Sequence, residues 1–80
     1  MNVSSNTIGQ TLRNFRRDRE ISQEKLALMS DLDRTYISLL ERGLRQPSLK
    51  TILQLSKSLD ISAAKLVSVV EEMLNENPEN

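Results

Sequence analysis

The chain contains neither cysteine nor histidine. Without cysteine there is no disulfide framework and no thiolate metal site. Without histidine the commonest general base and metal ligand are gone, so hydrolytic and zinc chemistries become poor candidates. An enzyme would have to be built from scattered carboxylates, which makes enzyme the weakest functional class; no metal and no cofactor are expected. No apolar run approaches membrane-spanning length, and the first ten residues, MNVSSNTIGQ, are polar with no signal-peptide pattern. The expectation is a soluble cytoplasmic protein with no membrane partner. Strand-like alternation, internal repeats and low-complexity tracts are also missing. Eighty residues suit one domain. No ligand-binding domain and no small-molecule ligand are expected. A chain of this size hides only roughly 60% of its unfolded surface, which favours association with a partner.

Net charge is absent too, but its zero total hides an uneven distribution. From Arg13 to Lys50, nine basic residues (Arg13, Arg16, Arg17, Arg19, Lys25, Arg34, Arg42, Arg45, Lys50) outweigh six acidic ones, a balance of +3. From Asp60 onward, Lys65 stands against Asp60, Glu71, Glu72, Glu76 and Glu79, a balance of −4. Such asymmetry suits one face for phosphates and another end for something else, although ordinary solvated helix surface would look the same.

What is present is helical periodicity. Residues 1–6 are polar without period and read as a flexible arm. A first helix is predicted over about Thr7–Arg19, with Ile8, Leu12 and Phe15 on one face. Ser22 caps a second helix to Ser30, with Leu26 and Met29 inward and Ala27 at a close approach. Asp31 and Leu32 make a turn, and Leu32 plugs the core. A third helix spans roughly Asp33–Arg42, with Ile37 and Leu40 inward, and Gly43 ends it. Ser48 caps a fourth helix whose inward positions are Leu49, Ile52, Leu53, Leu55 and Leu59. Ser62 caps a fifth, from Ala63 to about Leu74, and residues 75–80 form a flexible tail. The fold class is all-α, a compact five-helix domain over residues 7–74.

The run QEKLALMSDLDRTYISLLERG, residues 23–43, carries the chemistry. Two short helices at a fixed angle can place the N-terminal side chains of the second against base edges in a DNA major groove. Arg34 can pair bidentately with guanine O6 and N7, and the Thr35 methyl suits the thymine methyl. Ser38 lies one turn beyond Arg34 on the same face. Tyr36 offers a hydroxyl to a phosphate; its competing role is a half-buried core aromatic. For Arg34 the competing role is a surface ion pair. Gln23, at the start of the second helix, points toward a phosphate favoured by the helix terminus. Arg42, Arg45 and Gln46, with Ser48, form a second phosphate clamp, and Lys50 adds to it.

Residues 7–66 resemble the helix-turn-helix domain of the Xre/Cro and lambdoid phage repressor family. The resemblance rests on IGQTLRNFR, on SQEKLA, on the turn into a helix closed by ERG, and on PSLKTILQLSKSLDIS. Within the family, LDRTYISLLERGLRQPS is especially similar to the small controller proteins of restriction–modification systems. The resemblance implies base contacts from Arg34, Thr35 and Ser38, and phosphate contacts from Gln23, Tyr36, Arg42, Arg45 and Ser48. It also implies a structural ion pair between Arg16 and Glu41. Two positions depart from the family pattern. Asp31 stands where glycine or asparagine is usual and is tolerable in a left-handed turn. Glu20 stands where glycine normally ends the first helix, which implies a different exit from it.

The fifth helix has more apolar residues than one stripe needs. Leu66, Val67, Val69, Val70, Met73 and Leu74 are therefore expected to form a homodimer interface, unless the first and fourth helices simply wrap them. A two-fold dimer would set two reading helices about 34 Å apart on an inverted-repeat, palindromic operator in double-stranded DNA. The leading expectation is a transcriptional regulator of controller type. The resemblance implies control of its own gene and of an adjacent endonuclease gene, with RNA polymerase as a candidate further partner. A phage or plasmid repressor, or the antitoxin of a toxin–antitoxin pair, would share most of these residues.

Overall fold

The computed structural model describes residues 4–76. Its elements are α1 (Ser4–Asp18), α2 (Gln23–Ser30), α3 (Arg34–Glu41), α4 (Leu49–Ser58) and α5 (Ala63–Glu76), with no strand among the described residues. α3 packs against α1 and α2, α5 against α1 and α4, and α4 against α2. At the centre lie Leu12, Leu26, Ala27, Ile37, Leu40, Leu55, Leu59 and Leu66, so every helix contributes to one core. Ile8, Phe15, Ile21, Leu32, Tyr36, Ile52 and Ile61 close around it.

The helix starts follow from side-chain caps. Ser22, Asp33, Ser48 and Ser62 each accept a hydrogen bond from the backbone N–H of Lys25, Thr35, Thr51 and Lys65 respectively, at 2.9–3.1 Å. Each cap satisfies a donor that the helix itself cannot, and contributes about 1 kcal/mol. The helix ends share one device. Glu20, Asp31, Gly43 and Asp60 all adopt positive φ, from 57° to 75°. In each case the following residue's N–H reaches back five residues: Ile21 to Arg16, Leu32 to Ala27, Leu44 to Leu39, Ile61 to Ser56. This closure puts an apolar residue just past the helix and satisfies its last carbonyls. Glu20 therefore leaves α1 by the same exit that a glycine would use, contrary to the expectation of a different one. Its side chain is simply tolerated in the left-handed region.

Four other expectations are corrected. α1 begins at Ser4, so residues 4–6 are helical instead of belonging to an arm. Asn6 lies against the Gly43 turn. α5 runs to Glu76, so Asn75 and Glu76 continue the helix; residues 1–3 and 77–80 lie outside the described residues. Met29 is exposed, because Ser30 takes the inward position and donates from Oγ to Ser58 Oγ at 2.8 Å. Leu49 and Leu53 are exposed as well, while Thr51 and Ser56 are buried in their place. The hydroxyls of that pair are satisfied locally: Ser56 Oγ donates to the Ile52 carbonyl and Thr51 Oγ1 accepts from Ser48 Oγ. A short hydroxyl that bonds its own helix can be buried at little cost.

Candidate nucleic-acid interface

α3 turns Ile37, Leu40 and Glu41 inward. At about 100° per residue its outward face carries Thr35, Ser38, Leu39 and Arg42, with Arg34 at the edge. Arg34, Thr35 and Arg42 are exposed; Ser38 and Leu39 are half-buried. Asp33 fixes the N-terminus of this helix, from which base edges would be read. Arg34 takes part in neither of the ion pairs among the described residues, which involve Arg13, Arg16 and Glu41, so its competing role as a surface ion pair does not hold. Tyr36 lies on the flank of α3, half-buried against the core, with the Arg45 guanidinium 5.5 Å from its ring centroid. The two residues expected to act on phosphates separately are thus stacked on each other, a contact worth about 0.5–1 kcal/mol at an exposed site.

The C-terminal end of α3 is anchored by a buried ionic cluster. Arg16 Nε donates to Glu41 Oε2 at 2.7 Å, and Arg16 Nη2 donates to Oε1 at 3.0 Å. The third guanidinium nitrogen, Nη1, donates to the Ile21 carbonyl at 2.9 Å. Gln23 Nε2 donates to Glu41 Oε1 at 3.0 Å, and Arg13 Nε lies 3.6 Å from the same oxygen without a hydrogen bond. Burial alone would push the Glu41 carboxyl up. The hydrogen bonds from Arg16 and Gln23, with the charges of Arg16 and Arg13, outweigh it and hold Glu41 below its ordinary value. The expected Arg16–Glu41 pair is present in bidentate form, and it ties the start of α2 and the end of α3 to α1.

Gln23 is placed differently from expectation. It is half-buried and spends an amide N–H on Glu41 instead of presenting it outward to a phosphate. The N-terminus of α2 is still available in that region, with Ser22 occupied as its cap. In the second clamp, Arg42, Arg45, Gln46 and Ser48 are all exposed and occupy one connection between α3 and α4. Arg42 folds back, with Nε 3.4 Å from the Ser38 carbonyl.

On α5 two of the residues expected at a homodimer interface face the protomer's own interior. Leu66 is a core residue, and Met73 is half-buried with its Sδ accepting from Thr11 Oγ1 at 3.2 Å. These two serve the fold, because α5 is docked on both α1 and α4. Val69, Val70 and Leu74 are half-buried, and Val67 is exposed. Two residues near the site escaped the sequence reading. Arg13 shares the Arg16 face at a three-residue step, and Leu39 lies one turn beyond Thr35 on the outward face. Among the described residues no helix is long and apolar enough to cross a membrane, and no cluster of acidic residues could hold a metal.

This arrangement of a capped outward helix on a two-helix scaffold defines a class. A family model described as helix-turn-helix matches residues 12–66, and the chain belongs to that family as a transcriptional regulator of its Xre-like branch. Restriction–modification controllers are prominent among its relatives. The chain is 47% identical over 60 residues to the control protein C.BamHI of Bacillus amyloliquefaciens, covering 74% of each. The crystal structure of the controller C.AhdI from Aeromonas hydrophila superposes with a TM-score of 0.74 at 46% identity, covering 76% of this chain and 92% of that one. The controller C.Esp1396I, solved as a tetramer with its natural 35-base-pair operator, gives a TM-score of 0.78 at 30% identity, covering 84% of this chain and 88% of that one.

Proposed function

We propose that this protein is a homodimeric, sequence-specific DNA-binding regulator that controls a restriction–modification system. The observation that carries the reading is the pair of exposed side chains, Arg34 and Thr35, at the capped N-terminus of a helix locked to its neighbours by Glu41. A side chain reads a base edge only if its backbone is already oriented, and buried anchoring supplies that orientation. In the proposed complex α3 enters the major groove. Arg34 pairs with guanine, while Thr35 and Leu39 offer apolar contact to a thymine methyl and Ser38 a hydroxyl. Arg42, the stacked Tyr36–Arg45 pair, Gln46 and the Ser48 helix start grip phosphates on one side, and the N-terminus of α2 grips them on the other.

The likeness to C.BamHI and C.AhdI supports the controller assignment, and the C.Esp1396I–operator complex supports DNA as the partner. As a controller, the protein regulates its own gene and that of an associated endonuclease, with occupancy set by its own concentration. Activation would bring RNA polymerase in as a further partner. The test is selection from random duplex DNA by the wild type and by Arg34→Ala in parallel. The wild type should enrich an inverted repeat with half-site centres about ten base pairs apart or a multiple. Arg34→Ala should lose about 1–3 kcal/mol of preference at one half-site guanine. Identical motifs from both proteins would overturn the assignment of α3.

A further inference from the structure

The middle of the outward face of α3 is apolar. At about 100° per residue, Thr35 and Leu39 stand opposite Ile37 and Leu40, the two apolar residues that α3 gives to the core. Four residues apart, they are neighbours on the helix surface. Arg34 and Ser38 stand to one side of this strip and Tyr36 to the other, so most of the polar groups of α3 flank it. Leu39 is half-buried, and its carbonyl accepts from the Leu44 N–H at 2.9 Å in the closure of the helix. Residues in these two places of such a closure commonly pack together, which gives Leu39 a purely structural alternative role. Thr35 is exposed; its backbone N–H goes to Asp33, while its hydroxyl has no partner among the described residues.

Leu39 has neither donor nor acceptor. Set against the polar edge of a purine or of cytosine, it would exclude water and return no hydrogen bond, a penalty that selects against those bases. The one apolar group that a base edge presents in the major groove is the methyl on C5 of thymine. Cytosine methylated at C5 carries the same methyl at the same place. The two pyrimidines then differ in their exocyclic group, an O4 acceptor in thymine and an N4 donor in cytosine. The Thr35 hydroxyl serves either, because it both donates and accepts. We propose that Thr35 and Leu39 read the pyrimidine C5 methyl itself, so that C5 methylation of a cytosine facing them strengthens binding. This inference rests on the proposed reading of α3 as the helix that enters the major groove. It adds the methylation state of the operator to the variables that set its occupancy.

The test is selection by the full chain from three random duplex libraries: ordinary DNA, DNA with deoxyuridine for thymidine, and DNA with 5-methyldeoxycytidine for deoxycytidine. From ordinary DNA the wild type should enrich thymine at one half-site position. That preference should fall about fourfold in the uracil library, which is the worth of one buried methyl group. At the same position 5-methylcytosine should gain about fourfold over the cytosine of ordinary DNA. Leu39→Ala, checked for folding by circular dichroism, should lose both shifts and keep the guanine preference assigned to Arg34. Thr35→Ser, at an exposed position, removes only a methyl of the strip and should reduce both shifts. Leu44→Ala weakens the helix closure alone and should keep them. Loss of the shifts in Leu44→Ala as in Leu39→Ala would assign Leu39 to the closure and overturn the proposal. A motif enriched alike from all three libraries would overturn the methyl reading and leave the DNA-binding regulator standing. No enriched sequence from any library would overturn the reading of α3 itself, and this inference with it.

Discussion

Replacing Glu41 with glutamine tests the structural account most directly. Arg16 and Glu41 are both buried, with side-chain exposures of 11% and 0% in the pair. Little solvent is therefore present to screen a charge left alone. Removing one partner of such a pair costs about 3–5 kcal/mol, most of it the penalty of an uncompensated buried ion. Arg16 keeps its bond to the Ile21 carbonyl, and Gln23 can reorient, so the lower end, about 3 kcal/mol, applies. A domain of this length holds on the order of 4–12 kcal/mol in total, so Glu41→Gln should remain folded but marginal. Urea unfolding followed by circular dichroism should show a midpoint lower by about 3 M, at a slope of about 1 kcal/mol per molar urea. The double variant Arg16→Met, Glu41→Leu should recover part of that loss, because the Arg16 charge leaves with its partner, while Arg13 Nε and the Gln23 amide still lose Glu41 Oε1. A single-variant loss under about 1 kcal/mol, or a double variant no better than the single, would refute the idea of a strongly coupled buried pair.

The same carboxylate sets a pH dependence. Glu41 titrates below its ordinary value of 4.5, so its contribution is complete above that value and is lost as pH falls through the lower folded value. Urea midpoints of the wild type should drop below about pH 4.5, and Glu41→Gln should lack that part of the fall. Gly9→Ala would set a Cβ against the carbonyl oxygens of Leu40 and Glu41, where α1 crosses the end of α3. It should cost about 1–3 kcal/mol in the same assay, and a neutral result would mean that this crossing is looser than the structure shows. Glu20→Gly relieves a non-glycine residue at φ 57° and should stabilise by about 1 kcal/mol; a loss would mean that the Glu20 side chain makes a contact of value.

The features legible in the sequence were those decided by residues within one turn of each other. Ser22, Asp33, Ser48 and Ser62 cap helices because a short side chain followed by a periodic apolar run leaves few other roles. The misplaced residues depend on neighbours far along the chain. From Leu49 to Leu59, LKTILQLSKSL offers two apolar arcs, one through Ile52, Leu55 and Leu59 and one through Leu49 and Leu53. Only the positions of α2 and α5 choose between them. Gln23 and Glu41 are 18 residues apart and meet because of the crossing of α2 and α3, which no local pattern encodes. Glu20 misled for the opposite reason. Its propensity argues against a left-handed residue, but the closure of α1 through Ile21 and Arg16 outweighs a cost of about 1–2 kcal/mol.

The distribution of burial on α3 separates reading from holding. Asp33 secures one end of the helix through its cap, and Glu41 secures the other through Arg16. Between them Ile37 and Leu40 supply the core contact. Arg34 and Thr35 have exposed side chains that contribute little to any of these. On the proposed reading, substitutions at those two positions should change which bases are preferred while leaving stability nearly constant, since exposed residues away from caps and cores shift it by about 0.5 kcal/mol or less. Tyr36 is the exception. It packs on the core with one face and carries Arg45 on the ring, so a change there should alter the scaffold and the proposed phosphate clamp together. A regulator built this way can diverge in operator sequence without refolding, provided that the new residues fall on the Arg34–Thr35 side of the helix and not on the Tyr36 side.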